Sequence, residues 1–433
     1  MQSNKPKREK TKCLRLAVGC VVAWLWLCGL TLSVHALPAT SDYLIQAWQT
    51  ENGLPENIVN GIAQTSDGYL WCGTTHGLAR FDGAKFKVYN GENTPELGSA
   101  RIRQLFVDRH GTLWITVFEG LLVSLKDGRF TAYSLPKRET TARTIFWMAE
   151  DNDGALWLTI EDGTVFRFIN GQFTLISRDW KYNEAMFRVY EDASGQVWVA
   201  SVSLLARINN GKLDPVLIGQ PGEYQFLCPS RNGGWWMENQ GRVRLWRDGN
   251  FVADAGNWIR PDRLVEYCLE DRQGNVWVAT LGKGIFCYST NTAPRQFTVN
   301  EGLGSDLVRS LFEDSEGNLW AGTRTGGLNR LRPALFKTYG RKQGLSSVLV
   351  TAICEGRNGD LWVGNDGDGV DCLSSNGIKH FAEPQGLTSL AIRSVLVDDT
   401  GGLWVGSWVG GLFHYETASL KIPVIASGWA SAP

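Results

Sequence analysis

Nine tryptophans recur along this chain at spacings of 38 to 43 residues: Trp71, Trp114, Trp157, Trp198, Trp236, Trp277, Trp320, Trp362 and Trp404. Each has a glycine three positions before it. A fixed period near 40 residues restricts the chain to a repeat architecture, in which each unit buries its apolar face against its neighbours. The residue before each tryptophan is apolar at all nine positions, from Leu70 to Leu403, and so is the residue after, from Cys72 to Val405. Consecutive apolar residues flanked by glycine predict a strand buried on both faces.

A second apolar run precedes this strand (308–312, 349–353, 392–397) and a third follows it (328–331, 285–288, 412–415). Asp-Gly or Asn-Gly pairs then announce a hairpin into a fourth: Asp82-Gly83, Asp127-Gly128, Asn170-Gly171, Asn210-Gly211, Asp248-Gly249 and Asn376-Gly377. Such pairs suit a two-residue turn in which both positions take positive φ. Four short antiparallel strands per repeat predict an all-β protein, a β-propeller of four-stranded blades. Helical solenoids are excluded because no segment sustains a 3.6-residue period. Nine repeats fit one ring of seven with two blades of a second, or a single larger ring. Tyr43 to Trp48 reads as an outer strand lacking its own first three. The last repeat is expected to receive it and close the ring.

Three segments are expected: a leader over 1–36, propeller repeats over 37–421 and a non-repeat tail over 422–433. Lys5, Lys7, Arg8, Lys10, Lys12 and Arg15 form a basic start, Leu16 to Leu32 an apolar core, and Val34-His35-Ala36 a small-residue cleavage site. Export to the periplasm or beyond follows, with an uncleaved membrane anchor as the alternative. Six cysteines lie beyond the leader. Cys268 with Cys287, and Cys354 with Cys372, fall on the first and third strands of one blade, about 10 Å apart and out of disulfide reach. These four are read as buried small apolar residues. The formal charge of -1 leaves no electrostatic footprint for nucleic acid.

The iterated acidic pair, Gly-x-Leu-Trp-x-Gly-Thr, Gly-Leu and hairpin turn resembles the two-component regulator propeller family. Glu313-Asp314-Ser315-Glu316-Gly317-Asn318-Leu319-Trp320-Ala321-Gly322-Thr323 matches closely, as does Asp67-Gly68-Tyr69-Leu70-Trp71-Cys72-Gly73-Thr74 with Gly77-Leu78. The resemblance implies the periplasmic sensor region of a hybrid histidine kinase, responding to a ligand such as an oligosaccharide. Family members continue into further blades, a membrane span and a kinase. Here two organisations stay open: a receptor truncated before those parts, or a freestanding propeller that works with a membrane histidine kinase.

Candidate chemistry is sparse. Aspartate stands six residues before the repeat tryptophan in six of nine repeats, and its recurrence around a ring suits a turn better than a pair of catalytic carboxyls. Asp366-Gly367-Asp368-Gly369 opens like a calcium loop but lacks the closing glutamate. No cofactor or metal is expected, and no enzyme activity. An exported glycan-active glycosidase or lyase, and a protein-interaction scaffold, are the alternatives. Antiparallel order places the second-to-third strand loops and the links between blades on one variable face. It would carry His76, Phe118, Lys283, Arg324, Asp366, Asp368 and Trp408 from the loops, and Trp180, Tyr182, Trp258 and Arg260 from the links. A polar ring-shaped ligand is expected near Trp408, Arg324 and Asp366.

Overall fold

The computed structural model describes residues 43–136, 144–177, 188–192, 194–201, 204–209, 212–218, 224–258, 265–290, 292–334, 338–383 and 386–415. The leader, the tail, Asn210-Gly211, Trp180, Tyr182 and Arg260 lie outside them. The chain divides into two compact units, one of residues 41–335 and one to which 336–433 belong.

Among the described residues the larger unit holds seven four-stranded antiparallel sheets, each following chain order from inside to outside except the seventh. Blade 1 is typical: Val59–Gln64, Leu70–Thr74, Gly77–Phe81 and Phe86–Tyr89. First strands of blades 1 to 4 lie side by side, as do those of blades 5 to 7 and of blades 7 and 1. Blade 7 returns to blade 1, where Ser315 N donates to Gln64 Oε1 at 2.8 Å and Arg309 Nη1 to Asn60 Oδ1 at 3.0 Å. Gly322 is required at this junction, since a Cβ there would sit 2.6 Å from the Val59 carbonyl oxygen.

Ring closure differs from the expectation. Tyr43–Trp48 pairs with Leu328–Pro333 of blade 7, Trp48 opposite Leu328, and not with the last repeat. The reason is local: after Leu331 the chain runs into Pro333, which has no N–H, and offers no hairpin pair to start its own fourth strand. Trp48 fills the place, its ring 5.2 Å from Phe81 and 5.4 Å from Trp320.

The smaller unit contains a four-stranded blade (Val350–Glu355, Leu361–Asn365, Gly369–Ser374, Gly377–Phe381) and a three-stranded one (Ile392–Val397, Leu403–Ser407, Gly411–Tyr415) among the described residues. Its inner strands are less covered. Val350 is 48% and Ile353 64% exposed, whereas their counterparts Val308 and Leu311 in blade 7 are buried.

The hairpin signals behave in two ways. Asp127, Asn170 and Asp248 take φ near 50° with positive φ at the following glycine, as a two-residue turn requires. At Asp82-Gly83 and Asn376-Gly377 only the glycine does. Asp82 instead accepts the N–H groups of Ala84 and Lys85 through Oδ1, which makes a longer turn.

Candidate functional site

The recurring carboxylates are structural, in two distinct ways. Each repeat aspartate caps its own turn and then reaches the repeat tryptophan. Asp314 Oδ1 accepts from Glu316 N and Asn318 N, both at 2.9 Å, while Oδ2 accepts the Trp320 indole N–H at 2.6 Å. The indole bond recurs from Trp114 to Asp108, Trp157 to Asp151, Trp198 to Asp192, Trp277 to Asp271 and Trp404 to Asp398. Burial works to raise the Asp192 carboxyl, but bonds from Ser194 and Trp198 outweigh it and leave the group below its ordinary value.

The glutamate before the aspartate serves the joint between blades. Glu150 accepts Arg109 N at 2.8 Å, Glu270 accepts Arg231 N, and Glu313 accepts Arg272 N at 3.1 Å, each from the preceding blade. The arginine side chains reach one blade further, Arg109 to Glu191 at 3.1 Å and Arg231 to Glu313 at 2.9 Å. Burial raises the Glu191 carboxyl above its ordinary value, with Arg109 opposing. Gln64, at the same position in blade 1, does the same work without charge. These clasps lie on the face formed by the first-to-second strand turns.

Inside them the channel widens into a cavity of about 670 Å³. Its roof is aromatic. Trp147 of blade 3 (strand Ile145–Glu150) lies 5.1 Å from Tyr267 of blade 6 (Val265–Glu270) and 5.9 Å from Tyr190 of blade 4 (Arg188–Glu191). Arg188 covers the far side, its guanidinium 4.9 Å from the Trp147 ring centroid, with Nη2 donating to the Glu266 carbonyl at 2.7 Å. Gln104 joins the wall, and its Oε1 is buried without a partner. Burial pushes the Tyr267 hydroxyl up to about 12 and raises that of Tyr190, so both remain neutral hydrogen-bonding groups. At the rim stand Gln64, Glu150, Glu191, Glu270 and Arg231. Aromatic surface with a few convergent polar groups, in a volume of this order, suits a small polar ring system.

The residues anticipated from sequence lie elsewhere. His76, Phe118, Lys283 and Arg324 stand on the second-to-third strand loops of the larger unit, as expected. His76 Nδ1 is 3.1 Å from Glu56, and the Arg101 guanidinium lies 5.0 Å from the Phe118 ring centroid. Asp366, Asp368 and Trp408 belong to the smaller unit. There Arg393 links two of them: its Nη1 is 3.2 Å from Asp366 Oδ2, and its guanidinium lies 4.9 Å from the Trp408 ring centroid. Trp408 is 70% exposed. Asp368 faces Arg341 at 3.8 Å. Trp258 requires correction. It is buried, packed on Tyr288 at 5.7 Å between blades 5 and 6, because an outer strand that runs to Asn257 delivers it into the core. The aromatic roof has no signal within one repeat: Trp147 and Tyr267 each stand three residues before the glutamate of a Glu-Asp pair, and only ring closure brings them together.

Three stretches, 53–76, 302–325 and 344–367, match the sequence model of a family described as two component regulator propeller. In these three stretches the chain carries two component regulator propeller repeats. In fold, this propeller is similar to the extracellular domain of a hybrid two component system from B. thetaiotaomicron, with a TM-score of 0.66 and 22% identity over 89% of this chain and 55% of that one. It is also similar in fold to a streptogramin B lyase, with a TM-score of 0.56 and 15% identity over 67% of this chain and 98% of that one. Over 65 residues it is 35% identical to histidine kinase P4 of Formosa agariphila, a span of 15% of this chain and 5% of that protein. The propeller thus spans about half of the first solved relative and a small part of the kinase. Among the described residues no helix is long and apolar enough to cross a membrane, and no group of histidine, cysteine or carboxylate side chains could hold a metal.

Proposed function

We propose that this propeller is the extracytoplasmic ligand-sensing part of a two component signalling system, that its ligand is an oligosaccharide, and that a sugar ring enters the cavity under Trp147, Tyr190 and Tyr267. The observation that carries the reading is the pairing of regulator-propeller repeats with an aromatic-roofed, polar-rimmed cavity in the ring. Sugar rings present apolar C–H faces to aromatic side chains, while the rim amide and carboxylates supply acceptors for hydroxyls. The rim carboxylates are each engaged in blade-to-blade bonds, which supports binding over hydrolysis, where two carboxyls must face one another across a bond. Signal then passes to a membrane histidine kinase, in the same polypeptide or a partner. The exposed Val350 and Ile353 support a further protein surface covering the smaller unit, as a receptor truncated before its later blades, membrane span and kinase would leave.

Titration calorimetry of the purified protein against a panel of plant, algal and animal oligosaccharides tests this. Trp147→Ala and Tyr267→Ala should each weaken a ligand found in the panel by at least about tenfold. Arg324→Ala and Phe118→Ala should leave it unchanged. The opposite pattern moves the site to the loop face, and turnover of any panel member replaces the sensing reading with an enzymatic one.

A further inference from the structure

Cys228 and Cys268 lie on the inner strands of neighbouring blades 5 and 6, with their sulfurs 3.4 Å apart. Neither is paired with a cysteine of its own blade, and both are buried, at 2% and 4% exposure, in the wall of the channel cavity. Their meeting follows from the repeat. Successive residues of a strand face opposite sides of its sheet. The residue two before the turn position of one blade therefore meets the residue three before it in the next. Phe106 accordingly packs against the cluster that contains Met148, Leu269 against the one that contains Leu311, and Phe312 against the one that contains Ile62. At the junction of blades 5 and 6 the same two offsets, counted from Ser230 and Asp271, hold cysteine and cysteine.

We infer that Cys228 and Cys268 form an inter-blade disulfide that staples blade 5 to blade 6. The two thiols are in S–H···S contact in the structure, and a disulfide needs the sulfurs at about 2.05 Å, so they must close by roughly 1.4 Å. The oxidant is a disulfide-bearing molecule, protein or small, of the kind an extracytoplasmic compartment supplies. One cysteine thiolate attacks the oxidant's disulfide, forming a mixed disulfide and releasing one oxidant thiol. The second cysteine then attacks the mixed disulfide at the first cysteine's sulfur and releases the other. Two protein thiols lose two electrons and two protons, and the oxidant gains both. Burial raises the Cys228 thiol well above its ordinary value, which slows attack in the folded ring. Oxidation therefore belongs to folding, before the junction closes. The supply of oxidant in the cell rests on the extracytoplasmic reading; the geometry does not.

The test refolds the full chain from reductant-free denaturant with oxidised glutathione, alkylates remaining thiols, digests the protein and maps its peptides. The expected product is a peptide joining Cys228 to Cys268, with the other described cysteines alkylated. Melting of the refolded protein should fall by roughly 5–10 °C on adding a phosphine reductant. Cys228→Ala, Cys268→Ala and the double variant should share one melting temperature that reductant does not move. Recovery of both cysteines as alkylated or glutathione-bound thiols, or joined to other cysteines, overturns the assignment. So does a wild-type melting temperature indifferent to reductant. Because no saccharide enters the experiment, its failure leaves the sensing reading untouched, and failure of the saccharide panel leaves the staple untouched.

Discussion

Replacing Asp314 with alanine tests whether the acidic pairs hold the blades together. The carboxylate accepts four hydrogen bonds, from Glu316 N, Asn318 N, Asn318 Nδ2 at 2.8 Å and the Trp320 indole. Glu316 N can turn to water. Asn318 Nδ2 keeps Glu316 Oε2 at 3.2 Å, but the Trp320 ring and Asn318 are buried, and the indole N–H and Asn318 N would be stranded. A stranded buried donor costs about 1–3 kcal/mol, and bonds to a charged acceptor run toward the upper part of that range. The expected loss is about 3–5 kcal/mol, seen as a melting point lower by roughly 5–15 °C for a domain of this size. Asp314→Asn keeps the turn acceptor but sets an amide nitrogen or a rotated oxygen against the indole, so it should cost about half as much. Trp320→Phe removes the indole donor alone. A double-mutant cycle of Asp314→Ala with Trp320→Phe, followed by denaturant unfolding monitored by circular dichroism, should give a coupling of about 1.5–3 kcal/mol. An Asp314→Ala protein within about 0.5 kcal/mol of wild type, or zero coupling, would refute the role assigned to the pair.

Repeat eight supplies the converse. Gly356 stands where other repeats have aspartate, an added Cβ there would lie 3.2 Å from Trp362 Nε1, and Gly356→Asp should raise the smaller unit's stability by about 1 kcal/mol. The Asp360 carbonyl oxygen is 3.3 Å from the same Cβ, so a lower melting point would mean crowding outweighs the new bond. Trp48→Ala removes the side chain that packs blade 7 against blade 1 and should cost about 3–5 kcal/mol; unchanged unfolding would show that the N-terminal strand does not close the ring. The pH dependence has a fixed sign. Asp192 and Asp398 are held below their ordinary value of 3.8, so their contribution is fully present above that pH and lost as pH falls through their lower folded values. Melting points that rise on acidification below about pH 3.8 would contradict this.

What could be read from sequence is what lies within one repeat. The buried strand around each tryptophan, the hairpins at Asp127, Asn170 and Asp248, and the turn role of the aspartates need only contacts about six residues apart, and the repeat displays the strand nine times and the aspartate six. The indole bond is equally local but was not anticipated, because turn chemistry alone accounts for the aspartate. Glu150, Glu270 and Glu313 were grouped with their aspartates as one acidic pair, although their partners stand one blade earlier. The pairing of Tyr43–Trp48 with blade 7 required noticing an absence, the missing hairpin signal after Leu331. Links between blades are usually exposed, which predicts a surface position for Trp258, and the length of the strand before it decides otherwise.

The cysteines show how the unread part can become readable. Tested within a blade, Cys268 has only Cys287 for company, on the first and third strands of one sheet, and geometry forbids the pair. The same rule of alternating side chains, carried across the junction, joins position minus two of one repeat to minus three of the next, and Cys228 to Cys268. That offset does not depend on this chain's particular residues, since Phe106 with Met148 and Phe312 with Ile62 obey it with ordinary apolar side chains. It requires that the inner strands end at equivalent turns. Where the aspartate cap is replaced, as by Ser230, the register still holds because the turn itself persists, with Gly233 N donating to the Ser230 carbonyl at 3.0 Å. At this junction the contact therefore follows from the turn positions, and Cys228 and Cys268 stand at the two columns where a bond between blades can be sought.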